Sequence, residues 1–132
     1  MKLGLEGKRA LVTAAARGLG KASALALAAE GAHVAVAGRN PSAMSDLVRE
    51  LEQAGAASAI AVPMDLTDRA SLKAGVDRAV EAFGGLDIFV ANSGGPTAGP
   101  FLSVPREGWE QALNESLLPM VDLCHAVLPH MR

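Results

Sequence analysis

The stretch Val12–Ala22, VTAAARGLGKA, holds the residues best suited to chemistry. A strand that runs through such a turn into a helix leaves backbone N–H groups and the positive end of the helix dipole facing the crevice beyond the strand. A phosphate fits there. Gly18 and Gly20 would let the backbone approach a pyrophosphate and let the helix pack closely on its sheet. Thr13 and the backbone from Ala15 to Leu19 would form the turn. The place where this turn first asks for glycine holds Ala14. A methyl group there is accommodated at negative φ and costly at positive φ, and the substitution is read as tolerated.

A second group of residues reports which phosphates are present. After the second apolar run come Gly38, Arg39 and Asn40, with no acid until Asp46. A site for NAD places a carboxylate there to bond the ribose 2′-hydroxyl, whereas the 2′-phosphorylated cofactor calls for a cation. Arg17, inside the first turn, is a second cation in reach. Two guanidiniums and no carboxylate favour NADP over NAD, because arginine is always charged and pairs a phosphate bidentately.

The elements that must position these residues alternate regularly. Apolar runs at Arg9–Ala14, His33–Gly38, Ser58–Met64 and Leu86–Ala91 read as buried strands. Between them lie helical stretches. The first covers Gly18–Glu30 and ends at Gly31; the second opens on Asn40-Pro41 and runs to Gly55; the third is capped by Thr67 or Asp68 and stops at Phe83. Asn92–Pro105 is a Gly/Pro-rich loop long enough to be functional, and a final helix covers roughly Pro105–Met131. Such alternation predicts an α/β fold: a Rossmann-like, doubly wound parallel sheet of about four strands with helices on both faces. The strand order 3-2-1-4 follows by analogy with dinucleotide-binding folds.

The 132 residues suit one domain, half of them apolar but only 3% aromatic, which matches Ala/Val/Leu-packed helices on parallel strands. A net charge of −2 with no basic run argues against nucleic acid or an anionic membrane as partner. The single cysteine, Cys124, cannot form an internal disulfide, and no apolar leader or span is visible. A reduced, cytoplasmic setting is expected. His125 and His130 are five apart, unlike a zinc-binding i, i+4 pair, so no metal site is expected.

Four motifs in order resemble the short-chain dehydrogenase/reductase family. TAAARGLG matches its Thr-Gly-x-x-x-Gly-x-Gly loop except at Ala14. DLT (Asp65–Thr67) matches the acidic residue after strand three, with Asp65 and Leu66 implied on the adenine side. ANSGG (Ala91–Gly95) lies where the family has Asn-Asn-Ala-Gly, so Asn92 and Gly94 match while Ala91 and Ser93 depart. The last helix resembles the family's central helix, with Asn114 at its catalytic asparagine. The flavour is that of reductases resembling 3-oxoacyl-[acyl-carrier-protein] reductase. The resemblance implies a cofactor site formed by Thr13, Ala15, Arg17, Gly18, Leu19, Gly20, Arg39, Asn40, Asp65, Leu66, Asn92, Ser93 and Gly94. It also implies a small carbonyl or alcohol substrate.

The family's catalysis further needs a serine on strand five, then a tyrosine and a lysine on the next helix. The chain ends at Arg132, before that strand, and contains no tyrosine. Residues 1–132 therefore read as the N-terminal, dinucleotide-binding part of one domain, expected to show negligible turnover alone. The alternative is a non-catalytic nucleotide-binding or assembly module that pairs with itself or another chain. A receiver-like fold is set aside because strand one ends in Thr13-Ala14 without acids.

The last helix carries further expectations. Pro119 deprives the Glu115 carbonyl of its usual donor, which predicts a kink or loosened turn beside Asn114. Leu113, Leu117, Leu118, Val121, Leu123 and Val127 spread over more than one face, which predicts burial on two sides. Cys124 is read as a small buried hydrophobe and Trp109 as a packing anchor. This helix, or the edge of strand four, is expected to mediate association.

Overall fold

The computed structural model describes residues 2–131. Four parallel strands, β1 (Arg9–Val12), β2 (His33–Gly38), β3 (Ser58–Pro63) and β4 (Ile88–Val90), form one sheet in the order β3-β2-β1-β4. This is the doubly wound arrangement expected from the alternation. Three strands are shorter than their apolar runs, because the terminal residues of those runs already turn into loops. Ala14, for example, lies past the end of β1.

Helices α1 (Gly18–Ala29) and α2 (Pro41–Ala54) cover one face, and α3 (Arg69–Phe83) with α5 (Leu118–Val127) covers the other. Period-two alternation assigns the strand side chains: Val12, Val34 and Val36 pack under α1 and α2, while Leu11, Ala35, Ala37 and Val62 pack under α3 and α5. Strands buried on both faces have no solvent side, so their sequences read as continuous apolar runs.

The helix ends follow local chemistry. Asn40 caps α2 by accepting from the Ser42 and Ala43 N–H groups, and Asp68 caps α3 by accepting from Ala70. Gly31, at φ 81°, closes α1 as its N–H reaches the Ala28 carbonyl and that of Ala32 the Leu27 carbonyl. Of the two caps offered by the sequence for α3, Asp68 takes the role.

The last helical region is not one rod. Helix α4 (Arg106–Ala112) passes into a π turn over Leu113–Leu117 before α5, and a 3₁₀ turn follows over Leu128–His130. The Leu118 N–H bonds the Leu113 carbonyl five residues back. Pro119 has no N–H to offer the Glu115 or Asn114 carbonyl, which accounts for the loosened turn at this point.

Three expectations need correction. The helix buries only one face, through Pro119, Leu123 and Val127; Leu113, Leu117, Leu118, Val121 and Leu128 are exposed because no element of the described chain covers them. Cys124 is exposed rather than buried, being on that open side. Trp109 is half exposed, its ring tilted against Phe101 at 6.0 Å instead of anchoring the core. Among the described residues no helix is long and apolar enough to cross a membrane, and no group of three or more His, Cys, Asp or Glu is placed to hold a metal.

Candidate functional site

The carboxyl ends of the four strands open into a crevice of about 510 Å³. Its lining comes from every strand end. The β1–α1 turn gives Ala14 and Ala16–Leu19, and β2 gives Ala37–Arg39. The β3 end gives Met64–Thr67, and the loop after β4 gives Asn92–Gly95. Parallel α/β sheets place ligands here, where loops leave toward opposite faces.

The first turn is built by Thr13. Its buried hydroxyl donates to the Asn92 carbonyl at 2.7 Å and accepts from the Asn92 N–H at 2.9 Å, tying the β1 and β4 loops together. The Asn92 side chain then donates through Nδ2 to the Ala14 carbonyl at 3.2 Å. That bond adds a second tie between the β1 and β4 loops. Gly20 is required by this packing: a Cβ there would collide with the Ala14 carbonyl and with Asn92 Nδ2. Ala14 lies at φ 48°, so its methyl occupies the left-handed region rather than the negative φ that would make it harmless. The tolerated reading is corrected: the alanine is accommodated with backbone strain.

The mouth of α1 differs from those of its neighbours. Arg17 at the N-cap is extended and makes no side-chain capping bond, whereas α2 and α3 carry their own caps. Gly18, at φ 61°, has no atom within 4 Å of where a Cβ would stand. The first-turn N–H groups of α1 therefore face the crevice without a side-chain partner and with room in front of them, the geometry of an anion site.

The side chains around the crevice divide by charge. Arg17 and Arg39 are its cations. Asp65 accepts from the Thr67 hydroxyl at 2.7 Å and the Thr67 N–H at 2.9 Å. These bonds, with a smaller contribution from the charge of Arg39, hold its carboxyl below the usual carboxylate range. Ser71 Oγ bridges the Asp65 N–H and carbonyl and fixes the turn.

Of the residues singled out from sequence, Arg17, Gly18, Leu19, Arg39, Asp65, Leu66, Asn92, Ser93 and Gly94 share this lining. Thr13, Ala15 and Gly20 are buried beneath it, as supports of the turn. Asn40 is off the lining, its Oδ1 committed to capping α2. Asn114 is exposed on the π turn, and its neighbour Glu115 is the one that lines the crevice. Glu115 was not singled out; in sequence it is an ordinary helix glutamate bonded to Gln111 at 3.0 Å.

A family profile described as short chain dehydrogenase matches residues 8–132, and the chain belongs to that family. Among its relatives, the 3-oxoacyl-[acyl-carrier-protein] reductase of Thermotoga maritima is 32% identical over 128 residues, covering 96% of this chain and 51% of that protein. A short chain dehydrogenase from Burkholderia cenocepacia in complex with NADP superposes with a TM-score of 0.86 at 38% identity, covering 96% of this chain and 52% of that one. L-sorbose reductase from Gluconobacter frateurii, complexed with NADPH and L-sorbose, gives 0.89 at 29% identity, covering 99% and 50%. The chain spans about half the length, or less, of the curated relatives it matches.

Proposed function

We propose that the crevice binds NADP(H) and that these residues form the cofactor-binding part of a short-chain oxidoreductase acting on a small carbonyl or alcohol. The observation that carries this reading is the uncapped mouth of α1 set beside Arg17 and Arg39, with no acid following β2. The first-turn N–H groups and Gly18 suit the pyrophosphate, and Arg39 suits the 2′-phosphate. Asp65 and Leu66 would flank the base, while Asn92, Ser93 and Gly94 would form the wall leading toward the nicotinamide. The bound dinucleotide supplies hydride chemistry. This chain's own residues bind and orient it.

Proton transfer needs a group within hydrogen-bond reach of the substrate oxygen. The chain has no tyrosine, and Asn114 cannot serve as an acid/base. The 132 residues by themselves are proposed to bind the cofactor with negligible turnover. Titration of the intrinsic fluorescence of NADPH and NADH tests the cofactor assignment. NADPH should bind about tenfold or more tighter than NADH, and Arg39→Ala should abolish most of that preference. Tighter binding of NADH would overturn it.

A second reading is favoured by a specific observation. Leu113, Leu117, Val121 and Leu128 are exposed along one side of the α4–α5 region, and β4 pairs only with β1 among the described strands. On this reading the chain is also an assembly unit, joined to a second copy or another chain through that face or that edge.

A further inference from the structure

The wall that the β4 loop gives the crevice carries one uncommitted hydroxyl. Ser93 is half-buried and lines the cavity, and its Oγ has no hydrogen-bond partner among the described residues. The other hydroxyl of the lining, on Thr67, is spent on Asp65 at 2.7 Å. No atom stands within 4 Å of where a Cβ on Gly94 or Gly95 would be, so the residues that follow Ser93 leave room beside it. The motif that Ala91–Gly94 resembles has alanine at this place, so the hydroxyl is a departure from the resemblance and not part of it.

The joint before it fixes where that residue starts. The Asn92 N–H and carbonyl both bond Thr13 Oγ, and Asn92 Nδ2 donates to the Ala14 carbonyl at 3.2 Å, so Ser93 begins one residue from the tie to the β1–α1 turn. The strand order then says which side of the crevice it serves. In β3-β2-β1-β4, Asp65 and Arg39 follow β3 and β2 on one side of the α1 mouth, and Ser93 follows β4 on the other. A dinucleotide with its 2′-phosphate at Arg39 and its pyrophosphate at α1 must run its second half over the β4 loop. The first group beyond the pyrophosphate is a ribose with two adjacent hydroxyls. A serine hydroxyl offers one donor and two acceptor lone pairs, so it can donate to one of that pair and accept from the other.

Resting on the assignment of the crevice to NADP(H), we propose that Ser93 is a binding residue for the nicotinamide ribose, hydrogen-bonded through its side-chain Oγ to the vicinal hydroxyls. Both partners are neutral and the loop is open to solvent, so the bond adds a modest factor in affinity. Alanine at this position would leave the diol to water. The hydroxyl therefore favours ligands that carry the second ribose over those that end at the phosphates.

The test is calorimetric titration of the 132-residue chain and its Ser93→Ala variant with three ligands of increasing length. Adenosine 2′,5′-bisphosphate lacks the second ribose, 2′-phospho-ADP-ribose has that ribose without the nicotinamide, and NADPH has both. Ser93→Ala should weaken 2′-phospho-ADP-ribose and NADPH each by about threefold to tenfold and leave adenosine 2′,5′-bisphosphate unchanged. An equal loss for all three ligands would show that Ser93 acts through the shape of the turn, and overturns the proposal. No loss for any of them also overturns it, and a loss confined to NADPH moves the contact from the ribose to the nicotinamide and overturns it as well. In each of these cases the NADP(H) assignment stands. Failure of the unaltered chain to bind any of the three overturns both.

Discussion

Ala14 carries a methyl group at φ 48°, where an L residue pays roughly 1–2 kcal/mol that glycine does not. The Ala14 carbonyl must still point at Asn92 Nδ2 and lie against Gly20, so the turn cannot relax to negative φ without losing the joint between the β1 and β4 loops. Replacing Ala14 with Gly should therefore stabilise the fold by about 0.5–1 kcal/mol, after the greater freedom of glycine in the unfolded chain is subtracted. Urea unfolding monitored by circular dichroism reads this directly, and a loss of stability would show that the strain is not there. Arg39 and Arg17 were legible in the sequence because one follows the end of β2 and the other stands at the mouth of α1, and Asp65 was legible through the resemblance of DLT to the family's motif after strand three. Asn40 illustrates the limit of that logic. Its neighbours Pro41 and Ser42 make it a cap, and one amide oxygen cannot also serve the crevice. Glu115 was illegible because, although Pro119 signals a loosened turn, nothing local tells which residue of that turn comes to line the crevice.

Among the elements, β4 is the most weakly held, with three residues paired to β1 and no second neighbour among the described strands. An ion pair at its start compensates. Arg9 donates to Asp87 through its backbone N–H at 2.9 Å, through Nε at 2.9 Å and through Nη2 at 3.0 Å, and the Asp87 N–H returns a bond to the Arg9 carbonyl at 2.8 Å. Gly85 leaves the space for the guanidinium, since a Cβ there would collide with it. The hydrogen bonds from the Arg9 side chain and backbone, with the charges of Arg9 and Lys8, lower the Asp87 carboxyl from 3.8 to about 2. A carboxyl whose folded value lies below its unfolded one binds fewer protons when folded. Its contribution is complete above about pH 4 and disappears as the pH falls toward 2. Asp87→Asn should lower the melting temperature by a few degrees at pH 7 and by progressively less from pH 4 to pH 2. A difference that stays constant across that range would mean the ion pair does not hold β4. The strands and α1–α3 were readable from apolar runs, caps and glycines because those signals are local. In the long C-terminal helix the loosened turn before Pro119 was readable, because a missing N–H is a local signal, whereas burial on two sides was not borne out, since periodicity records apolar faces but not whether anything covers them.

At the scale of the whole molecule, the central strands β1 and β2 are buried, the outer strands β3 and β4 are half-buried, and one flank is open. Trp109, Leu113, Leu117, Val121, Cys124 and Leu128 recur every three or four residues, so they share one side of the α4–α5 region, and all are exposed. An apolar stripe that long is a contiguous patch rather than scattered exposure, the kind of surface the assembly reading calls for. The unpaired edge of β4 adds backbone donors and acceptors on the same molecule. The chain should therefore run larger than a monomer in size-exclusion chromatography with light scattering. Replacing both Leu117 and Val121 with Glu should shift it toward the monomer, because each charge would have to be buried in the contact. Those side chains stand in solvent and touch neither the strand core nor the crevice lining, so NADPH affinity should survive the change. If the double variant keeps the larger species, the β4 edge carries the association. If the unaltered chain is a monodisperse monomer, the open flank is not an assembly surface for copies of these residues.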